Sequence, residues 1–135
     1  MLRLGVDRDE VGVVSDQLGN PTSALDIADA LIEIAKKVTR QPSETLLGTF
    51  HMSGQGEASW ADMAQVVFDT AEAHGAKPVK VRAITTADYP TPARRPKNSR
   101  LNNAKLQTVY GIQLPQWQAS LKTCVERLIK ENNRI

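Results

Sequence analysis

The stretch with the most distinctive chemistry is PTPARRPKNSRL, residues 90–101, which holds three prolines, three arginines and one lysine and no acidic side chain. Proline fixes φ and has no backbone N–H, so the stretch is predicted to be an extended, partly pre-ordered loop. Guanidinium groups bind phosphates and carboxylates through paired, charge-assisted hydrogen bonds. The loop therefore predicts an anion-binding surface. Nucleic acid, a membrane, a protein or a small phosphorylated ligand all stay open as its partner.

The charge of the chain is divided unevenly. Residues 1–88 hold 8 basic and 13 acidic side chains, a net −5, and residues 89–135 hold 9 basic and 2 acidic side chains, a net +7. A polybasic nucleic-acid surface usually adds interleaved aromatic residues or a known helix motif, and aromatics are only 4% of this chain. Nucleic acid is therefore disfavoured, although a basic module that binds RNA or acidic proteins remains an alternative.

Length and composition predict one folded domain. The 135 residues are 41% hydrophobic and 24% charged, as in ordinary globular proteins. No apolar run approaches the roughly 20 residues that a membrane-spanning helix needs, and the N-terminus has no signal-peptide core. We therefore expect no membrane partner and a cytoplasmic location. Cys124 lies in an apolar helical pattern, and a catalytic role for its thiol is disfavoured.

Strand and helix patterns alternate along the chain and predict the order β-α-β-α-β-α-α, an α/β fold. The predicted strands are residues 11–16, 49–54 and 77–85, the last at a sheet edge because Pro78 opens it. The first helix should begin near Thr22 or Ser23. Its predicted buried stripe is Ala24, Leu25, Ala28, Leu31, Ile32 and Ala35.

Capping residues predict the remaining helices. Ser59 and Asp62 resemble a capping box, and Gly75 should end that helix. Its predicted apolar face is Trp60, Ala64, Val67, Phe68 and Ala71. A short helix should run from Asn102 or Asn103 to Gly111. The final helix should have Pro115 in its first turn and an apolar face of Trp117, Leu121, Val125 (or Cys124) and Leu128.

No complete catalytic motif is present in the sequence. The spacing of Gly54 and Gly56 is typical of a dinucleotide-binding loop, but Ser59 occupies the position where the G-x-G-x-x-G motif needs its third glycine. Neither tyrosine has a lysine four positions later, so the Tyr-x-x-x-Lys pair of hydride-transfer enzymes is missing. Neither histidine has a partner at metal-ligand spacing. From the residues alone, the chain is an α/β piece with one cationic loop.

Several longer stretches resemble one enzyme family. VVSDQLGNPTSALDIADAL, GTFHMSGQGEASWADMAQVVF and ITTADYPTPARRPKNSRLNNAKL, followed by GIQLPQWQASLKTCVERL, are similar in order and spacing to the C-terminal half of the dTDP-4-dehydrorhamnose reductases, which are extended short-chain dehydrogenases. The resemblance implies reduction of dTDP-4-dehydro-L-rhamnose with NADPH or NADH, a homodimer, and Mg²⁺ in some members. The cofactor loop and the Tyr-x-x-x-Lys pair would lie in a separate N-terminal Rossmann half, so this chain alone is expected to be inactive.

The same resemblance implies a division of the chain and a set of binding residues. Residues 1–56 would supply the last Rossmann strands and helix, and residues 57–135 the substrate-binding lobe with the C-terminal helix. The implied substrate-binding residues are Gln17, Thr22, Arg94, Arg95 and Asn98. A non-catalytic regulatory subunit with the same fold is an alternative.

Four of the five implied site residues also have a structural alternative. Arg94 and Arg95 could pair with carboxylates of the acidic half, while Gln17 and Thr22 could serve only as turn and cap residues. Lys97 and Arg100 are predicted to be solvated. Among the acidic residues, Glu126 is the candidate for an interface Mg²⁺, with a solvated helix position favoured.

Overall fold

The computed structural model describes residues 1–132 and contains five α-helices and four β-strands within that range. Two 3-10 turns, Glu44–Leu46 and Thr86–Asp88, lie between them. The elements in chain order are α1 (Leu2–Asp7), β1 (Glu10–Val14), β2 (Leu18–Gly19), α2 (Ala24–Arg40), β3 (Ala58–Ser59), α3 (Trp60–Ala73), β4 (Lys80–Ile84), α4 (Ala104–Tyr110) and α5 (Trp117–Asn132).

Two small sheets organise the chain. β1 and β4 run parallel, with Val11 opposite Val81 and Val13 opposite Ala83. A parallel pair needs a long crossover connection, and here α2 and α3 lie in the connecting segment. β2 and β3 pair antiparallel through Leu18 and Ser59. The predicted α/β class is confirmed, and in the described range β4 pairs on one side only, as an edge strand.

Two hydrophobic clusters form the core. In the first, α3 packs on β1; its buried members are Val11, Val13, Ala61, Ala64, Phe68 and Val79. The second lies between α2 and α4; its buried members are Ala30, Leu46, Leu106, Tyr110 and Leu114. The Tyr110 hydroxyl donates to the carbonyl of Leu46 at 2.6 Å, which satisfies its polar end inside the core.

The predicted caps are present. At α3 the Asp62 N–H donates to Ser59 Oγ at 3.1 Å and the Ser59 N–H donates to the Asp62 carboxylate at 2.8 Å, a reciprocal capping box. Ser23 caps α2 through the N–H of Leu25. Gly111 ends α4 in the left-handed conformation, as the sequence predicts.

Two sequence predictions about elements are wrong or incomplete. Residues 49–54 do not form a strand, because no described segment runs alongside them to complete a hydrogen-bonded ladder. Phe50 and Met52 nevertheless pack against the second cluster, which explains the alternating pattern. The short helix α1 was not predicted. It packs against α3, and Gly5 is buried in that contact.

The predicted buried stripe of α2 faces solvent instead. Leu25, Leu31 and Ile32 are each 53% exposed, and the second cluster contacts the opposite side through Ile27, Ala30 and Ile34. The helix is apolar on two sides, so its sequence could not indicate which side the described residues cover. On α5, Trp117 and Val125 are buried as predicted, whereas Leu128 and Cys124 are exposed.

Candidate functional site

A groove of about 730 Å³ crosses the surface between the first sheet and the proline-rich loop. Its floor is the strand β1, and its walls are residues 17–21, the start of α3 and part of residues 89–99. Arg95 is the one charged side chain among the described residues that line it, and no carboxylate lines it. A cation without a competing anion in a partly apolar groove is suited to binding an anionic ligand.

Backbone hydrogen bonds fasten one end of the proline-rich loop to β2. The N–H of Leu18 donates to the carbonyl of Lys97 at 2.9 Å, and the N–H of Ser99 donates to the carbonyl of Leu18 at 2.9 Å. Arg100 forms a surface ion pair with Glu57 at 2.6 Å and remains exposed, in agreement with the prediction that it is solvated. These contacts join residues 97–100 to the edge of the groove.

The adjacent arginines of the loop differ in position. Both are exposed, and neither forms an ion pair with any residue in the range 1–132, so the alternative of pairing with the acidic half finds no support there. Arg95 lines the groove, whereas Arg94 does not. The two predicted substrate-binding arginines therefore present different surfaces.

Asn98 and Thr22 make local structural contacts outside the groove lining. The Asn98 side-chain oxygen accepts from the N–H of Arg100 at 3.1 Å and from its Nε at 3.0 Å. The Thr22 hydroxyl donates to the carbonyl of Asn20 at 2.8 Å and accepts from the N–H of Gly54 at 3.0 Å. The Asn98 bonds and the Thr22 bond to Asn20 agree with turn roles, whereas the cap of α2 is Ser23 and not Thr22. Substrate binding by Asn98 or Thr22 stays a prediction.

Gln17 lines the groove just beyond the end of β1. Its Nε2 donates to the Thr86 hydroxyl at 3.0 Å, and that hydroxyl donates to Asp16 at 2.6 Å. Hydrogen bonds from the Thr86 hydroxyl and N–H lower the pKa of the Asp16 carboxyl below its usual value, and the charge of Lys97 adds to the effect. Asp16 is thus held as a carboxylate beside the groove.

Two aromatic residues in the groove were not predicted as site residues. Trp60 opens α3 and Tyr89 opens the proline-rich segment, and both line the groove while remaining 53% and 58% exposed. The sequence places Trp60 on the buried face of α3, which is wrong. The signal available in the sequence was a large aromatic residue directly after the predicted cap residue Ser59.

The two glycines of the GQG segment serve chain packing. A Cβ atom on Gly54 would collide with the carbonyl oxygen of Pro21, and one on Gly56 would lie 3.1 Å from the Trp117 ring. Their space is filled by the protein's own backbone and side chains, so the segment does not fit a dinucleotide diphosphate.

The predicted Mg²⁺ candidate, Glu126, is half-buried on α5 beside a shallow hollow of about 320 Å³ lined by that helix alone. Within residues 1–132 no group of three or more His, Cys, Asp or Glu side chains could hold a metal ion. A magnesium site is therefore not supported. No helix in the same range has the length and apolar character needed to cross a membrane.

Fold and groove together define an α/β domain with a groove that one arginine and two exposed aromatic residues line. The family model described as the RmlD substrate binding domain matches residues 1–130, and the chain belongs to this family. The resemblance to the dTDP-4-dehydrorhamnose reductases is thereby confirmed.

Curated relatives and solved structures agree with this assignment. The chain is 49% identical over 131 residues to a dTDP-4-dehydrorhamnose reductase of Sinorhizobium fredii, covering 97% of this chain and 44% of the relative. It is 38% identical over 130 residues to that of Escherichia coli K12, covering 95% and 43%.

Among solved structures, a dTDP-4-dehydrorhamnose reductase of Clostridium acetobutylicum superposes with a TM-score of 0.81 at 35% identity, over 94% of this chain and 41% of that one. One from Bacillus anthracis in complex with NADP superposes with a TM-score of 0.74 at 32% identity, over 96% and 41%. The chain therefore spans less than half the length of the relatives that it matches.

Proposed function

We propose that this chain is the substrate-binding part of a dTDP-4-dehydrorhamnose reductase and that its groove binds the dTDP-sugar. The observation that carries the proposal is the position of Arg95, the one charged side chain in a groove that no described carboxylate lines. The loop that contains it is joined to β2 by backbone hydrogen bonds close to that position.

The ligand class follows from the groove's chemistry. A nucleoside diphosphate sugar has a flat base, a dianionic diphosphate and a hydroxyl-rich sugar. A guanidinium group binds diphosphate oxygens with charge-assisted hydrogen bonds, exposed aromatic rings offer stacking surfaces to the base, and amide and hydroxyl groups pair with the sugar. Arg95, the Trp60 and Tyr89 rings, and the polar side chain of Gln17 supply these groups along one groove.

The reduction would use NADPH held by a separate Rossmann half, with residues 1–56 completing that half and residues 57–135 forming the lobe. The homodimer and the cytoplasmic location are also parts of this proposal. Hydride transfer needs a bound nicotinamide and a proton donor near the ketone oxygen. Because this chain has neither a fitting cofactor loop nor a Tyr-x-x-x-Lys pair, the purified 135 residues should not oxidise NADPH in the presence of dTDP-4-dehydro-L-rhamnose. Measurable turnover by the chain alone would contradict this assignment of roles.

The binding test compares Arg95→Ala with Arg94→Ala, its neighbour outside the groove. Titration of dTDP by calorimetry or NMR should show about a tenfold or greater loss of affinity for Arg95→Ala, as expected for losing a charge-assisted hydrogen bond. Arg94→Ala should lose much less. Thymidine, which lacks the diphosphate, should bind the wild-type chain and Arg95→Ala alike. Equal dTDP affinity in all three chains, with circular dichroism unchanged, would remove Arg95 from the site.

A further inference from the structure

Hydrogen bonds among three side chains fix the orientation of the Gln17 amide at the groove. The Thr86 hydroxyl and N–H both donate to one oxygen of Asp16, at 2.6 and 2.9 Å. Gln17 Nε2 in turn donates to the Thr86 hydroxyl at 3.0 Å. Asp16 and Gln17 follow β1, while Thr86 follows β4, so the contact joins the ends of the two parallel strands.

The charge of Asp16 decides which group donates in each hydrogen bond among these three side chains. An ionised carboxylate has no proton and only accepts hydrogen bonds. The Thr86 hydroxyl must therefore give its one proton to Asp16, which leaves only lone pairs toward Gln17. A lone pair can pair only with a donor, so the NH₂ group of the Gln17 amide must face the Thr86 oxygen. The carbonyl oxygen of the amide is then not used in this bond.

That carbonyl oxygen is the group available to a ligand. Gln17 lines the groove and Thr86 does not, and Gln17 Oε1 accepts no hydrogen bond from the part of the chain that the structure describes. The strand ends that carry these side chains are held together, because the Ser15 N–H and hydroxyl both donate to the carbonyl of Ile84, at 2.9 and 3.1 Å. A fixed acceptor at a groove wall selects ligands with an N–H or O–H donor at that position.

We propose that Asp16 and Thr86 are positioning residues that hold the Gln17 amide as a hydrogen-bond acceptor for a donor group of the bound nucleotide sugar. The inference rests on the proposed function, because it takes the ligand class from there. Three groups of such a ligand have this donor chemistry: the imide N–H of the thymine base, the 3′-hydroxyl of the deoxyribose and the hydroxyls of the hexose.

The test combines Thr86→Val, which keeps the shape but removes the hydroxyl, with Thr86→Ser, which keeps the hydroxyl. Thr86→Val should weaken ligand binding about five- to tenfold, the usual effect of losing one hydrogen bond, and Thr86→Ser should bind as the wild type does. Gln17→Met should lose the same factor. The double variant Gln17→Met/Thr86→Val should lose no more than either single variant, since both changes remove one acceptor.

Two ligands separate the sources of the donor. If the variants lose affinity for dTDP itself, the partner lies on the nucleotide, at the thymine imide or the deoxyribose 3′-hydroxyl; if they lose affinity only for dTDP-L-rhamnose, the partner is a hexose hydroxyl. Either pattern supports the inference. Urea unfolding of each variant reports whether it is folded. If Thr86→Val fails to fold, the ligand affinity of Gln17→Met is the measurement that tests the inference.

Failure of this inference differs from failure of the proposed function. Wild-type affinity in Gln17→Met, with Arg95→Ala still impaired, would overturn the acceptor role and leave the proposed function intact. Additive losses in the double variant, or no rescue by Thr86→Ser, would overturn the positioning role. If the wild-type chain binds neither dTDP nor dTDP-L-rhamnose, both are overturned.

Discussion

At the scale of single residues, neighbours in the sequence have different surroundings. Arg94 and Arg95 share composition, charge and local proline context, yet only Arg95 lines the groove. Arg100 resembles them in sequence but pairs with Glu57 and with Asn98. The residue type permits an anion contact for all three. The backbone path of the loop determines which anion each guanidinium can reach.

Trp60 gives a direct optical test at this scale. It is 53% exposed at the groove, whereas Trp117, the second tryptophan of the chain, is 5% exposed in the core. Binding of dTDP should therefore change the fluorescence of Trp60, and the change should be absent in Trp60→Phe. Trp60→Ala should also weaken dTDP binding by about 1 kcal/mol or more if the base stacks on the ring.

Leu128→Ala is the matched control for Trp60→Ala, because Leu128 is also an exposed apolar residue but lies on α5 away from the groove. It should leave both the fluorescence change and the affinity unaltered. An unchanged dTDP affinity in Trp60→Ala would exclude this ring as a stacking surface.

At the scale of elements, the residues at the start of α3 both stabilise the helix and position a side chain in the groove. The capping box of Ser59 and Asp62 fixes where the helix begins, and the next residue, Trp60, lies in the groove. Ser59 also pairs with Leu18 between β2 and β3. The same short segment therefore ends a strand, caps a helix and orients a groove residue.

Loss of the cap should lower the stability of the chain. Ser59→Ala is expected to reduce the free energy of unfolding by about 1 to 2 kcal/mol, because Ser59 is buried and the N–H of Asp62 loses its acceptor. Ser23→Ala at α2, an exposed cap without a reciprocal partner, should cost less. Urea unfolding at pH 7 measures both. A smaller loss for Ser59→Ala than for Ser23→Ala would contradict the role given to the box.

At the scale of the whole molecule, one face of α2 presents apolar side chains to solvent. We call the exposed Leu25, Leu31 and Ile32 the α2 stripe. Contiguous exposed apolar surface of this kind favours association. The chain should therefore form dimers or larger species as its concentration rises.

A charge within the α2 stripe should reduce this association. Leu31→Glu is expected to shift the mass measured by light scattering toward the monomer and to reduce binding of a dye that reports apolar surface. Leu47→Glu replaces an even more exposed leucine, 67% accessible and outside the stripe, and should change neither. A monodisperse wild-type monomer at high concentration, without dye binding, would refute the prediction.

The sequence by itself determined the features that depend on local chemistry. The order of most helices and strands, the cap at Ser59, the helix end at Gly111 and the cationic loop all follow from residues a few positions apart. Periodicity could not choose between the two apolar sides of α2, because that choice depends on what packs against the helix. Residues 49–54 have strand-like alternation, yet a strand also needs a hydrogen-bonded neighbour.

Only the tertiary structure decided how the groove is assembled. Gln17 and Thr86 are 69 positions apart and meet because β1 and β4 pair in parallel and end at the same edge. Arg95 and Trp60 line the same groove because residues 97–99 are hydrogen-bonded to β2, which also pairs with β3, the strand before α3. Spacing along the chain has no information on such contacts, since they arise from strand pairing and loop anchoring rather than from local propensity.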